Sequence, residues 1–113
     1  MSHHPGDVVT VDFPGVTGVK RRPAVVLSST VYHANRPDVI IGLITSQTKG
    51  LGVTDHVLQD WQTAGLRTAS VFRSFIVTLP RSANLVAIGQ LSEQDWRSVR
   101  DCVRIALAEL DDE

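Results

Sequence analysis

The stretch NLVAIGQLSEQDWRSVRDCVRIALAEL, Asn84 to Leu110, contains a change of rhythm. Its opening, Asn84–Leu91, is short and apolar, as a strand is. From Ser92 on, Trp96, Val99, Val103, Ala106, Leu107 and Leu110 return at spacings of three and four. That period predicts an amphipathic helix of about five turns with its apolar stripe on a sheet. Ser92 is the expected N-cap, and Asp95, three residues on, makes a loose capping box.

Upstream of the change, every element reads as a strand or a connection. Ala69–Pro80 (ASVFRSFIVTLP) gives one or two strands, bent at Arg73–Ser74. Asp60–Leu66 (DWQTAGL) holds one helical turn that ends at Gly65. Val53–Gln59 (VTDHVLQ) alternates like an exposed strand, after a loop at Gln47–Gly52. Val39–Ser46 (VIIGLITS) is a continuous apolar run, the expected central strand. Tyr32–Asp38 (YHANRPD) is polar and turn-like. Ala24–Ser29 (AVVLSS) is a strand with Pro23 at its mouth, where proline is tolerated. Asp7–Pro14 (DVVTVDFP) is the first strand, joined to the second by the loop Gly15–Gly18 (GVTG). Many short strands followed by one helix place the chain in the mainly β class, or α+β. The expected architecture is a small, mostly antiparallel barrel with a C-terminal α-helix. With 113 residues and no linker or repeat, residues 1–113 form a single domain.

Composition narrows the function. Apolar residues make up 42% and charged residues 20%, as in a globular protein. The single cysteine, Cys102, excludes an internal disulfide and a paired-cysteine metal site, and fits a reducing, cytoplasmic setting. The opening MSHHPGD lacks the apolar core of a secretory signal, and no run approaches the ~20 apolar residues of a membrane span. Net charge is −1 but unevenly placed: residues 1–91 balance to +3 and residues 92–113 to −4. Trp61 to Leu91 contains no acid, only Arg67, Arg73 and Arg81. A basic body before an acidic end permits a local nucleic-acid patch.

Candidate chemistry is sparse. His3, His4, His33 and His56 lack ligand-spaced neighbours, and His3 and His4 are expected in a loose terminus, so no metal and no cofactor are expected. No nucleophile elbow, phosphate loop or zinc-protease motif occurs. Trp61 and Trp96 read as core anchors. Two features remain: Lys20, Arg21 and Arg22 before Pro23, and ITSQTKG after the central strand. Alone, each also reads as ordinary structure, a solvated strand mouth and a turn.

Together they carry a resemblance. PGDVVTVDFPGVTG (Pro5–Gly18), RPAVVLSS (Arg22–Ser29), LITSQTKG (Leu43–Gly50), AGLRTASVFRSFIVTLPRS (Ala64–Ser82) and IGQLSEQDWRSV (Ile88–Val99) occur in the order of the MazF/PemK toxin family. The chain resembles that family over about residues 5–110. The resemblance implies an SH3-like barrel and a homodimer. It implies a metal-independent endoribonuclease that cuts single-stranded RNA at short sequences, leaving a 2′,3′-cyclic phosphate and a 5′-OH. It also implies a cognate antitoxin. The family's catalytic arginine falls on Arg22 and its threonine on Thr45. Lys20, Arg21, Ser46, Gln47 and Arg73 are the expected RNA contacts. GVTGVKRR lacks the acid that many members carry before the arginine, and FRSFIVTL lacks the acid that often precedes the family's Thr-Leu segment. Two rival expectations follow: a catalytically silent nucleic-acid or antitoxin-binding module, and a gyrase poison like the CcdB toxins. The second sits poorly with an end, AELDDE, that has no aromatic residue.

Overall fold

A computed structural model describes residues 3–15, 18–80 and 82–108. The middle of the GVTG loop (Val16, Thr17), Arg81, Leu110 and the acidic end at Glu109 and Asp111–Glu113 lie outside the described residues. The elements are β1 (Asp7–Gly15), β2 (Gly18–Val26), α1 (Thr30–Asn35), β3 (Asp38–Thr45), β4 (Asp55–Val57), β5 (Val71–Pro80), β6 (Val86–Gln90) and α2 (Glu93–Ala106). The strands form one sheet in the order β4-β5-β3-β2-β1-β6, with every pairing antiparallel.

Alternation along the strands divides the apolar residues between two cores. Val8, Val25, Ile44 and Phe72 face the first, where Val99 and Cys102 of α2 join them with Leu58, Ala64 and Leu91. Val9, Val11 and Phe13 of β1, Ala24 and Val26 of β2, and Val39 and Ile41 of β3 form the second. Val77 and Leu79 of β5, with Ala83 and Leu85 of the following connection, pack against it. The sheet is strongly curled. Phe13 on β1 and Phe75 on β5 are three strand spacings apart, about 14 Å on a flat sheet, yet their ring centroids lie 5.4 Å apart. The curl makes the molecule barrel-like, but no ladder joins β4 to β6 among the described residues, so the sheet is not closed.

The expected bend in Ala69–Pro80 is a bulge in one continuous strand. The β3–β5 register steps from Gly42↔Ile76 to Leu43↔Arg73, leaving Ser74 and Phe75 without counterparts.

Three expectations need correction. The second strand does not open at Pro23, because β2 runs Gly18–Val26 and its ladder with β1 takes in Lys20, Arg21, Arg22 and Pro23. Tyr32–Asp38 is not simply a turn, because Thr30–Asn35 is helical. The Ser29 side chain caps it by accepting the Tyr32 N–H at 3.0 Å. With no buried residue, this helix has no apolar stripe to betray it. The final helix is shorter than five turns, since Leu107 already has extended backbone. Its buried face is Asp95, Val99 and Cys102, flanked by Trp96 and Val103, while Ala106 and Leu107 are exposed.

Candidate functional site

A cavity of about 540 Å³ opens where the middle of β2 and the end of β3 meet the connection between β4 and β5. Arg21, Arg22 and Pro23 supply one side, Ile44, Thr45 and Ser46 another, and Gly65–Thr68 with Ser70 a third. Thr10 of β1 and Ile88 of β6 complete the lining.

Proline shapes this corner. The β2–β3 ladder runs through Val26↔Ile41, Val25↔Gly42 and Ala24↔Leu43 and stops there, next to Pro23, which has no N–H to continue it. The same register carried two residues further sets Arg22 across from Thr45. Arg22 is half-buried and has neither an ion pair nor a side-chain hydrogen bond among the described residues. Thr45 is buried, and its Oγ1 accepts the Gln47 N–H at 3.2 Å. Accepting in this way leaves the hydroxyl proton of Thr45 available to donate.

The expected RNA contacts divide. Arg21 lines the cavity and also pairs across the strands with Asp12, at 3.4 Å. Ser46 lines it too and is exposed. Lys20 is exposed on β2 opposite Phe13 and does not line the cavity. Gln47 is exposed beside it, and its carbonyl accepts from Arg73 at 3.3 Å. Arg73 is outside the lining altogether. It pairs with Asp55 at 3.5 Å and donates to the carbonyls of Lys49 and Gly50, tying the β3–β4 loop to β5.

Sequence reasoning missed the third wall. The turn Trp61–Gly65 closes as expected, with the Leu66 N–H on the Trp61 carbonyl at 3.1 Å. Gly65 has φ +87°, and a Cβ there would overlap the Ile88 carbonyl. A Cβ on Gly89 would overlap the Ala64 carbonyl, so the turn and β6 touch backbone to backbone. The acid-free stretch from Trp61 to Leu91 was the one sequence signal for this wall. Among the described residues no Asp or Glu lines the cavity.

A buried carboxylate holds the same wall from behind. Asp95 accepts the N–H groups of Gln59 at 3.0 Å and Asp60 at 2.8 Å, and its other close partner is His56 Nε2 at 2.9 Å. The capping box is therefore one-sided. Ser92 Oγ accepts the Asp95 N–H at 3.2 Å, while the Asp95 carboxylate turns to the loop instead of to Ser92. Burial alone would raise the Asp95 pKa, but the bonds from Gln59, His56 and Asp60 outweigh it and hold the carboxyl below its ordinary value.

The remaining histidines serve structure. Contrary to the expected loose terminus, His3 is buried, and burial pushes its pKa down. The Asp7 carboxylate accepts the His4 backbone N–H at 2.8 Å, and the His33 ring meets the Ser28 hydroxyl. Among the described residues no three His, Cys, Asp or Glu side chains are grouped to hold a metal ion. Trp61 and Trp96 both pack against the first core. No described helix is long and apolar enough to cross a membrane.

Solved structures share this fold. A MazE–MazF structure from Deinococcus radiodurans is 22% identical, with a TM-score of 0.74 over 96% of this chain and 97% of that one. An endoribonuclease in complex with its cognate antitoxin, from a mycobacterial species, is 17% identical, with a TM-score of 0.75 over 93% and 94%. The Mycobacterium tuberculosis toxin MazF-mt6 is 21% identical, with a TM-score of 0.70 over 88% and 94%. Among curated proteins no sequence matches the chain. At these identities the structural likeness speaks for the fold. The sequence itself speaks for the family, since the model of the PemK-like, MazF-like toxin of type II toxin–antitoxin systems matches residues 4–107. By that match, which takes in every element from β1 to α2, the chain belongs to the PemK-like, MazF-like toxin family of type II toxin–antitoxin systems.

Proposed function

We propose that the protein is a toxin that cuts single-stranded RNA without a metal, by attack of the RNA's own 2′-OH on the adjacent phosphorus. The observation that carries this reading is the guanidinium of Arg22 beside Thr45, unpaired and in a cavity without carboxylates among the described residues. The attack builds a pentacoordinate phosphorane with added negative charge on its equatorial oxygens. A guanidinium fork suits that oxygen pair. Its position inside β2 beside Pro23, held by the β1 ladder, lets it act without reorganisation, which is where electrostatic stabilisation gains its size. The Thr45 hydroxyl donates to the same oxygens. Arg21 and Ser46 hold the neighbouring backbone, and contacts of this kind position RNA without reading its bases. The leaving group is the 5′-oxygen, so the products carry a 2′,3′-cyclic phosphate and a 5′-OH. The protein works in the cytoplasm as a homodimer, and a cognate antitoxin covers the cavity.

One observation favours a second reading. Among the described residues no carboxylate or histidine lines the cavity to take the proton of the 2′-OH, as a silent RNA-binding or antitoxin-binding module would allow. Incubating the purified protein with a long RNA, with and without EDTA, and mapping the new ends separates the two. Cuts with 5′-OH ends support the nuclease. Binding without any cut supports the silent module, and 5′-phosphate ends sink the 2′-OH mechanism.

A further inference from the structure

Arg67 stands two residues beyond Gly65 on the third wall of the cavity and was not among the residues expected to touch RNA. It is exposed and lines the same cavity as Arg21 and Arg22. Among the described residues it has no ion pair and no side-chain hydrogen bond. Three guanidinium groups therefore line one concave surface, of which only Arg21 has a carboxylate partner among the described residues, and their summed field favours an entering anion. The loop bearing Arg67 is also held in place. Asp95, fully buried, fixes its start through the N–H groups of Gln59 and Asp60. Gly65 and Gly89 press its turn onto β6 with no side chain between the backbones. Fixing a loop at both points does nothing for a solvated arginine, but it sets the distance between Arg67 and the arginines of β2.

We propose that Arg67 binds a backbone phosphate of the substrate strand next to the one handled by Arg22, so that the strand is clamped between β2 and the β4–β5 connection. The proposal rests on the reading of single-stranded RNA as substrate. It makes Arg67 a binding residue, not a participant in bond cleavage.

The test has two arms. In the first, a labelled single strand of mixed sequence made with 2′-deoxyribose keeps the phosphates and removes the attacking hydroxyl, and its affinity is measured across a salt series. Loss of one phosphate contact reduces the slope of log affinity against log salt by about 0.7 for a single strand. Arg67→Ala and Arg67→Gln are expected to show that reduction and about tenfold weaker binding at low salt. Arg67→Lys keeps the slope. Arg97→Ala removes an equal charge from α2, where Arg97 sits 3.9 Å from Glu93, and is expected to keep the slope too. In the second arm, RNA cleavage at saturating protein is expected to stay within about threefold of wild type in Arg67→Ala, since no transition-state contact is lost. An unchanged slope in Arg67→Ala overturns the proposal, as does an equal fall in Arg97→Ala or a collapse of cleavage at saturation. Wild-type protein that binds the strand but cuts no RNA sinks the nuclease reading alone, and the slope still decides on Arg67. Wild-type protein that binds no strand at all overturns both.

Discussion

Arg22 differs from its neighbour Arg21 in having no partner among the described residues. Arg21 has Asp12, and Lys20 is exposed away from the cavity. A guanidinium left unpaired inside β2, beside Pro23 where the β2–β3 ladder stops, is available to a transient oxyanion. Arg22→Ala is expected to lower the cleavage rate about 100-fold or more, as loss of a charge-stabilising donor does. Arg22→Lys is expected to recover only part of it, since a point charge does not replace a fork. Unfolding midpoints should stay close to wild type, and full cleavage by folded Arg22→Ala would remove the residue from the mechanism. Thr45→Val keeps shape and burial but takes away both the acceptor used by the Gln47 N–H and the proton offered to the phosphorane. A loss of about tenfold or more in single-turnover cleavage is expected. Arg22 and Thr45 were singled out because Arg-Pro and Ile-Thr are local motifs that carry a family resemblance; alone, each read as ordinary structure. Arg73 shows where local motifs fail. Its charge alone suggested an RNA contact, but its hydrogen bonds to three loop carbonyls depend on how β3 and β5 pair.

The elements behind the site were legible to different depths for physical reasons. β1, β3 and α2 have long periodic patterns, and such patterns survive any tertiary arrangement. α1 is short, polar and held by a cap, so composition alone cannot separate it from a turn. Hardest to read was Asp95. In sequence it is a first-turn acid of a helix, and only the fold brings Gln59 and Asp60 to its carboxylate. Replacing it with alanine leaves two N–H groups and an imidazole without their acceptor, at an expected cost of about 3 kcal/mol. Its folded pKa lies below the unfolded value, so its contribution is fully present above the ordinary aspartate pKa of about 3.9. It is lost as pH falls through the lower folded value. Wild type and Asp95→Asn should thus differ in unfolding midpoint at neutral pH and converge in strong acid; a constant gap would deny the carboxylate this role. Gly65→Ala meets both a positive φ and the Ile88 carbonyl. It is expected to destabilise by at least about 2 kcal/mol and to weaken RNA binding with it.

For the molecule as a whole, the curl that brings Phe13 against Phe75 gathers β1, β2, β3 and β5 around one apolar core. Phe13 is only 1% exposed. Phe13→Ala is therefore expected to cost about 3 to 5 kcal/mol, measured by denaturant unfolding. The cavity lies at the other core, beside Ile44 and Ile88, so modest loss of the curl should lower stability before it alters cleavage by the folded fraction. Cleavage itself is expected to survive excess EDTA. It should stop when the nucleotide before the cut carries 2′-deoxyribose, because the nucleophile then is gone. The class of fold was legible because strands preceding a helix leave few ways to bury both. Its open edge was not, since closure depends on whether β4 and β6 meet, and nothing in either strand states that.

The bonds from Asp95 to β4 and to the β4–β5 connection join residues 35 to 39 positions apart, and the later partner sits in the last described element. A ribosome makes β2 and β3, and with them Arg22 and Thr45, long before it makes α2. Until that helix has left the tunnel and docked, Gln59 and Asp60 have no acceptor and the third wall is not fixed. The growing polypeptide thus has its charged groups early and its binding surface late. The wall that carries Arg67 therefore waits on a helix made well after the arginines it faces.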